Sequence, residues 1–404
     1  MTTKIEDLIF AEKKRQEQTL MMIPSENYAS PAVLKATGSV LANKYAEGYP
    51  GKRYYQGNSV ADQIETYAQE LGKKLFNLEH INVQPYSGSP ANTAVLFALL
   101  NPGDTICGMK LSAGGHLTHG HPNVTISGKY FHSVQYLVDN TGQIDYKSLE
   151  EIVVKENPKI IFAGATAYPY KIDWKEFSRI AKLVDAWLVA DISHIAGLIV
   201  GGVHQSPTDY VHIITSTTHK TLRGPRGAFI GITKYGQEKD NELSKKIDRA
   251  VFPGLQGGPH INTIAAMAVA FEEVSEPFFA TYAKNIVANA SALSEELKRS
   301  GLKVFGTENH LLLIDVGLER GKEVAVKLEE VGIVVNANTI PFDQGSPFRP
   351  SGIRLGTPAL TTRGMGKKEM IVIAHCIAKV IKNEDLAKIK KQIATICSNF
   401  PVPK

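Results

Sequence analysis

The chain has 404 residues, 45 Lys+Arg against 40 Asp+Glu and a net charge of +5, with 43% hydrophobic and 21% charged residues. That balance excludes a disordered polymer, and its mildly basic, scattered charge suits anionic small ligands without calling for nucleic acid. The length allows about two to three domains, Cys107, Cys376 and Cys397 form no C-x-x-C pair, and no apolar run reaches the ~18 residues of a membrane span, so a cytoplasmic protein in a reducing compartment is expected.

Residues 1–15 are charged and lack the apolar core of a secretory signal. Residues 4–20 have the pattern of an amphipathic helix, with Ile5, Leu8, Ile9 and Leu20 among many charges. Such a helix serves either as an arm on a partner subunit or as a piece of its own domain. Residues 24–60 are rich in Gly, Tyr, Pro and Asn, a functional loop region rather than a plain linker. From about 60 to 275, short apolar strands alternate with helices. The pattern predicts a helix over Ala61–Phe76, a strand at Ile81–Gln84, a helix at Ser89–Leu100 and a strand at Thr105–Met109. Further strands are expected at Lys159–Ala163, Trp187–Asp191, Val211–Thr215 and Ala228–Ile232, with a helix at Trp174–Val184. This predicts a largely parallel α/β sheet flanked by helices, whose ligands bind beyond the carboxyl ends of the strands. A long helix over Phe278–Arg299 opens a smaller α+β domain, with strands at His310–Val316, Ile333–Asn336 and Gly352–Leu355 and helices after Lys367. The expected domains are an N-terminal helical arm at 1–25, a large domain at 26–275 and a small C-terminal domain at 276–404.

Six stretches carry chemistry. In Asn43–Tyr55, tyrosines and the single acid Glu47 lie on a glycine-rich loop, suited to polar contacts and proton transfer or to an ordered aromatic surface. In Gln84–Asn92, Ser87, Gly88 and Ser89 join a strand to a helix and offer a phosphate cradle, with Ser89 also a candidate N-cap ahead of Pro90. In Ser112–Gly120, glycines beside histidines indicate a loop pressed against a ligand, where an imidazole stacks on a ring. The His spacing is not a standard zinc pattern and no metal is expected. Asp191 closes a buried strand, where a carboxylate needs either a cation, such as a pyridinium nitrogen, or backbone N–H groups. Nearby His194 either steadies that acid or is a satisfied core histidine. Lys220 follows a strand signal in a Gly/Pro-rich loop with His219, Arg223 and Arg226. Nearby cations disfavour a further ammonium, which makes it a candidate Schiff-base lysine. Arg354, inside an apolar strand, is explained by a bidentate grip on a carboxylate or by a structural salt bridge.

Taken together, Ser25–Tyr28, Asn43–Tyr55, Gly114–Gly120, Thr217–Gly227, Val251–Gly254 with Gln256–Pro259, and Ser351–Pro358 resemble the serine hydroxymethyltransferase family, with the motifs in order from about residue 8 to the C-terminus. The resemblance implies the fold of type I pyridoxal-phosphate enzymes, the aspartate aminotransferase-like architecture, and a dimer or a tetramer of dimers. It implies that Lys220 carries pyridoxal 5'-phosphate, that Asp191 pairs with its ring nitrogen and that His116 stacks on the ring. Thr166 and His194 would meet the phenolic oxygen region, and Ser87, Gly88, Ser89 and His219 the phosphate, helped by Tyr45 and Gly258 from a neighbouring subunit. Arg354 would bind the amino-acid carboxylate, with Ser25, Tyr55 and Glu47 around the substrate hydroxyl. Leu111, Gly115, Leu117 and Asn338 would meet folate. The implied reaction moves the hydroxymethyl carbon of L-serine to tetrahydrofolate and leaves glycine; the alternative is a folate-independent threonine or α-methylserine aldolase of the same fold. The chain departs from the common pattern at Pro24, Tyr86, Pro90, Thr166, Ser193 and Ser216. None of these removes a required group, although Pro90 takes a backbone N–H from the cradle.

Overall fold

The computed structural model describes residues 3–403. The chain divides into two compact units. One is built from the chain up to Tyr28, from Ala167–Tyr170 and from Tyr282 onward; the other from Ala29–Thr166 and Lys171–Thr281.

The second unit holds a seven-stranded sheet in the order His80–Asn82, Ala228–Ile232, Ile213–Thr217, Trp187–Asp191, Ile160–Ala163, Thr105–Met109, His132–Tyr136. Every pair is parallel except those made by Ala228–Ile232, which runs antiparallel to both neighbours. Ile160–Ala163, Ile213–Thr217 and Ala228–Ile232 are buried throughout, as expected of strands covered by helices on both faces. The core on one side of the sheet joins Ile106, Ile160, Phe162, Val189 and Ile213 to Ala91, Val95 and Leu96 of the helix Gly88–Leu99. The mostly parallel α/β sheet is the one expected, with adjustments. The strand anticipated at Ile81–Gln84 is His80–Asn82 and ends two residues earlier. The strand anticipated at Val211–Thr215 runs from Ile213 to Thr217, two residues on. An edge strand at His132–Tyr136 was not anticipated, because its polar, partly exposed residues give no apolar run.

The first unit carries a four-stranded antiparallel sheet in the order Lys303–Phe305, Leu311–Asp315, Gly352–Gly356, Asn336–Asn338. Its core gathers Leu312, Ile314, Ile353 and Leu355 with Leu293, Leu297, Ile373 and Ile377 from helices. The strand expected at Ile333–Asn336 is two short ones. Ile333–Val334 pairs in parallel with Leu20–Met21, and Asn336–Asn338 joins the four-stranded sheet. The N-terminal helix runs over Lys4–Gln18 with a capping box at Thr3 and Glu6, and it buries no residue in the chain. Ile5, Leu8, Ile9 and Phe10 are exposed on it. Among the described residues no helix is long and apolar enough to cross a membrane, and no cluster of potential ligands could hold a metal ion.

Candidate active site

Parallel strands deliver their carboxyl ends to one edge of the sheet, and the site of the second unit is assembled there. Ser87 is the N-cap of the helix Gly88–Leu99 and makes no side-chain capping bond. The cap therefore lies two residues before Ser89, and Pro90 is the third helical residue rather than the first. The N–H groups of the first turn have no helical acceptor and gather positive potential. A Cβ built on Gly88 would lie 2.8 Å from Thr217 Cγ2, which brings the helix start against the end of Ile213–Thr217. Thr217 Oγ1 and His219 Nδ1 are buried there without a hydrogen-bond partner. Burial first, then the charges of Lys220 and Arg226, hold the His219 imidazole neutral by pulling it down to about 3. Neutral donors, an uncommitted hydroxyl and a helix N-terminus are groups of the kind that suit a polyoxyanion. Gly88→Ala is expected to destabilise the protein by about 1–3 kcal/mol, because buried, β-branched Thr217 has little freedom to yield. Chemical unfolding measures this, and an unchanged midpoint would show that Thr217 moves aside.

Lys220 sits half-buried on the loop after Ile213–Thr217. Thr218 N donates to Gly227 O at 3.1 Å, Gly224 N to Thr218 O at 2.7 Å and Arg223 N to Lys220 O at 3.1 Å. Arg223 takes a left-handed φ of 59° to close the turn. The next residue binds the loop after Trp187–Asp191: Thr221 Oγ1 donates to His194 O at 3.1 Å and accepts from Gly197 N at 3.0 Å. Lys220 is thus presented beside Asp191, and its charge helps hold that acid ionised.

Asp191 has three donors. Oδ2 accepts from His119 Nε2 at 2.9 Å and Asn92 Nδ2 at 2.9 Å, and Oδ1 accepts from Ser193 N at 3.1 Å. Burial alone would raise this carboxyl; the His119 bond, with charge from His119, His116 and Lys220, overrides it and keeps Asp191 well below the usual carboxylate range. His119 stacks on Phe162 with centroids 4.9 Å apart, while Thr215 Oγ1 donates to Asn92 Oδ1 at 2.7 Å. His119 and Asn92 were missed by the sequence reading, which weighed His194 as the imidazole at this acid. The backbone N–H alternative weighed for Asp191 is present as well, in Ser193. His116 is close by: its Nδ1 lies 2.7 Å from Thr118 Oγ1, and its ring is 5.5 Å from that of His119. Thr166 N donates to Gly114 O at 2.8 Å, so Thr166 borders the loop carrying Leu111, Gly115, His116 and Leu117.

A second group in the same unit contains Tyr45, Glu47, Tyr55 and Gly258. Tyr45 OH donates to Glu47 Oε1 at 3.0 Å, and the Tyr45 and Tyr55 rings meet edge to face at 5.6 Å. A Cβ on Gly258 would sit 3.1 Å from the Tyr45 ring. Tyr86 OH donates to Gly258 O at 2.8 Å and its ring stacks on His260, while Gln256 Oε1 accepts from Tyr86 N. Tyr45 and Tyr55 are 56% and 49% exposed.

In the other unit, Arg354 is buried at the centre of Gly352–Gly356 and its Nε donates to Asn336 Oδ1 at 3.0 Å. Burial pulls its guanidinium down to about 10, still charged at neutral pH. Gly356 N donates to Met22 O at 2.8 Å, which runs the segment leading to Ser25 along the end of the same strand. Asn338 lies on the neighbouring strand, its Nδ2 donating to Thr339 O at 2.6 Å.

Comparison with known proteins adds to this geometry. A family model described as serine hydroxymethyltransferase matches residues 1–377. A serine hydroxymethyltransferase of Acidothermus cellulolyticus is 53% identical, over 99% of this chain and 95% of that protein. One of Desulfotalea psychrophila is 50% identical over 99% and 94%. A probable serine hydroxymethyltransferase of Mesomycoplasma hyopneumoniae is 49% identical over 99% and 97%.

Proposed function

The chain belongs to the serine hydroxymethyltransferase family, and from that premise we propose how its residues perform the family's reaction, the reversible transfer of the hydroxymethyl carbon of L-serine to tetrahydrofolate that yields glycine and 5,10-methylenetetrahydrofolate. Full-length identity of about 50% to proteins of that name is the observation that carries the activity. The residue assignments that follow are our reading of the site.

The donors at the strand ends fit pyridoxal 5'-phosphate. The cradle of Ser87, Gly88, Ser89 and His219, with the buried Thr217 hydroxyl beside it, suits a phosphate dianion. Asp191, kept ionised, suits a protonated ring nitrogen. Bound there, pyridoxal phosphate supplies an aldehyde for the substrate amine and an electron-poor ring that stabilises the charge left when the serine Cα–Cβ bond breaks. Lys220 would hold the cofactor covalently and yield its place to the substrate amine. His116 would lie on the ring face, with Thr166 and His194 at the phenolic oxygen. Arg354 would grip the substrate carboxylate through a charged fork. Glu47 would move the proton at the hydroxymethyl oxygen, with Tyr55 and Ser25 orienting that group. Leu111, Gly115, Leu117 and Asn338 would receive the folate.

We further read the protein as a cytoplasmic homodimer in which Tyr45, Glu47, Tyr55 and Gly258 serve the partner's site. The open faces of Tyr45 and Tyr55 and the exposed apolar side of Lys4–Gln18 support that arrangement. The decisive experiment is serine turnover with and without tetrahydrofolate. Turnover that depends on folate is expected. Equal rates would overturn the transfer and leave a folate-independent aldolase.

A further inference from the structure

The loop that carries Glu47 is built around a buried cation. Gly48–Tyr49 and Lys52–Arg53 form a two-stranded hairpin, with Gly48 opposite Arg53. Gly48 has a φ of 98°, and a Cβ there would strike Lys52 O. The Arg53 side chain, 3% exposed, folds back beneath this turn. Its Nη1 donates to Ala46 O at 2.8 Å and to Gly48 O at 2.7 Å. Those carbonyls belong to the two residues that flank Glu47. Tyr54 N closes the ring by donating to Glu47 O at 3.0 Å.

The guanidinium is itself fixed from the other side. Nε donates to Asp62 Oδ1 at 2.8 Å, and Nη2 to Glu65 Oε2 at 2.6 Å. Glu65 is 0% exposed, and its second oxygen accepts from Gln84 Nε2 at 2.7 Å. Gln84 Nε2 also reaches Gly48 O at 3.0 Å, and Gly51 N donates to Asp62 Oδ2 at 2.9 Å. Both carboxylates lie on the helix Ser59–Phe76, so a rigid element dictates where the hairpin stands. A planar fork bonds two carboxylates and two carbonyls at once. A lysine ammonium, a point charge on a flexible stem, does not reproduce that geometry.

We propose that Arg53 is a positioning residue for Glu47: by clamping the carbonyls on either side of it to Glu65 and Asp62, it fixes the carboxylate in the place from which it moves a proton. This rests on the reading of Glu47 as the proton-transfer group. Glu47 lies close enough to both neighbouring tyrosines to act on their phenols. The Tyr45 phenol is raised above its ordinary value by its hydrogen bond to Glu47, and the Tyr55 phenol chiefly by the Glu47 charge.

The test is a double-mutant cycle on the holoenzyme, with Arg53→Lys and Glu47→Gln alone and together. Arg53→Lys is expected to lower kcat for serine and tetrahydrofolate by up to about 10²-fold, the effect of a ~1 Å misplacement. In the Glu47→Gln background it should add less than about twofold, because the group it positions has already lost its function. An equal loss in both backgrounds would overturn the proposal and make Arg53 merely structural. A second readout needs no turnover: the ¹³Cζ resonance of Tyr45 in tyrosine-labelled protein, assigned with Tyr45→Phe. Glu47→Gln should move it. Arg53→Lys should move it the same way and add nothing on top of Glu47→Gln; an unmoved resonance in Arg53→Lys overturns the proposal. If Glu47→Gln leaves kcat unchanged, the reading of Glu47 fails, while the resonance still decides whether Arg53 sets its position. Should Arg53→Lys not fold, Asp62→Asn, at the rim of the network, weakens the same clamp and replaces it in both measurements.

Discussion

Lys220→Arg is expected to abolish covalent retention of pyridoxal phosphate and to lower serine turnover by at least about 10²-fold, the scale set by removing one positioned proton-transfer or nucleophilic group. Arginine keeps the positive charge that Asp191 feels, so the electrostatics of the pocket are largely preserved. What it removes is the amine: a guanidinium stays protonated at every working pH and has no lone pair to offer an aldehyde. The backbone bonds that close the loop, among Thr218, Lys220, Arg223, Gly224 and Gly227, are left in place by the substitution. The readout is intact mass after borohydride reduction. Wild-type protein should gain the reduced cofactor and the variant should not. A variant that still gains that mass would move the attachment point to another lysine.

The parts of this site legible in the sequence are those whose signal is local. Lys220 follows a run of β-branched residues and precedes a Gly/Pro turn, so the strand-end position could be read directly; the strand simply runs on through Ser216 and Thr217. Asp191 is the last residue of its strand in sequence and in structure alike. What was not legible is pairing across distance. Asn92 and Asp191 are 99 residues apart and His119 and Asp191 are 72 apart, and no periodicity announces which imidazole will turn inward. His119 and His194 are both buried histidines beside chemically suggestive residues, and only the fold distinguishes them. The cap at Ser87 rather than Ser89 is a different failure. Both serines carry an N-cap side chain, and the choice is made where Gly88 packs against Thr217, a contact spanning 129 residues of chain. Arg53 illustrates the same limit. The sequence shows an arginine in a tyrosine-rich loop, whereas its role depends on the buried face of a helix that begins at Ser59.

Asp191→Asn tests the strand-end acid in function and in stability at once. The amide has no charge to set against a protonated ring nitrogen, and losing a charged hydrogen bond of about 1.5–3 kcal/mol translates into roughly a ten- to hundredfold loss of kcat. Its stability cost comes from donor counting. Both Asp191 oxygens accept, Oδ2 from His119 and Asn92 and Oδ1 from Ser193. Whichever way the asparagine is turned, its NH₂ meets a donor. A loss of about 1–3 kcal/mol is therefore expected at neutral pH. The pH dependence distinguishes this from a packing defect. Asp191 has a folded-state pKa below its unfolded value, so its contribution is fully present above about pH 4 and is lost as the pH falls through the folded value. His212 and His219, each pulled down chiefly by burial to about 3, destabilise the fold across a higher window: the unfolded chain takes up protons below about pH 6.5 while the folded chain does not. Wild type and Asp191→Asn share those histidines. Their unfolding free energies should fall in parallel from pH 7 to about 4, and the gap between them should narrow only below that. A gap that narrows together with the histidine titration, or persists unchanged into acid, would show that Asp191 does not stabilise the fold as a buried carboxylate held by His119.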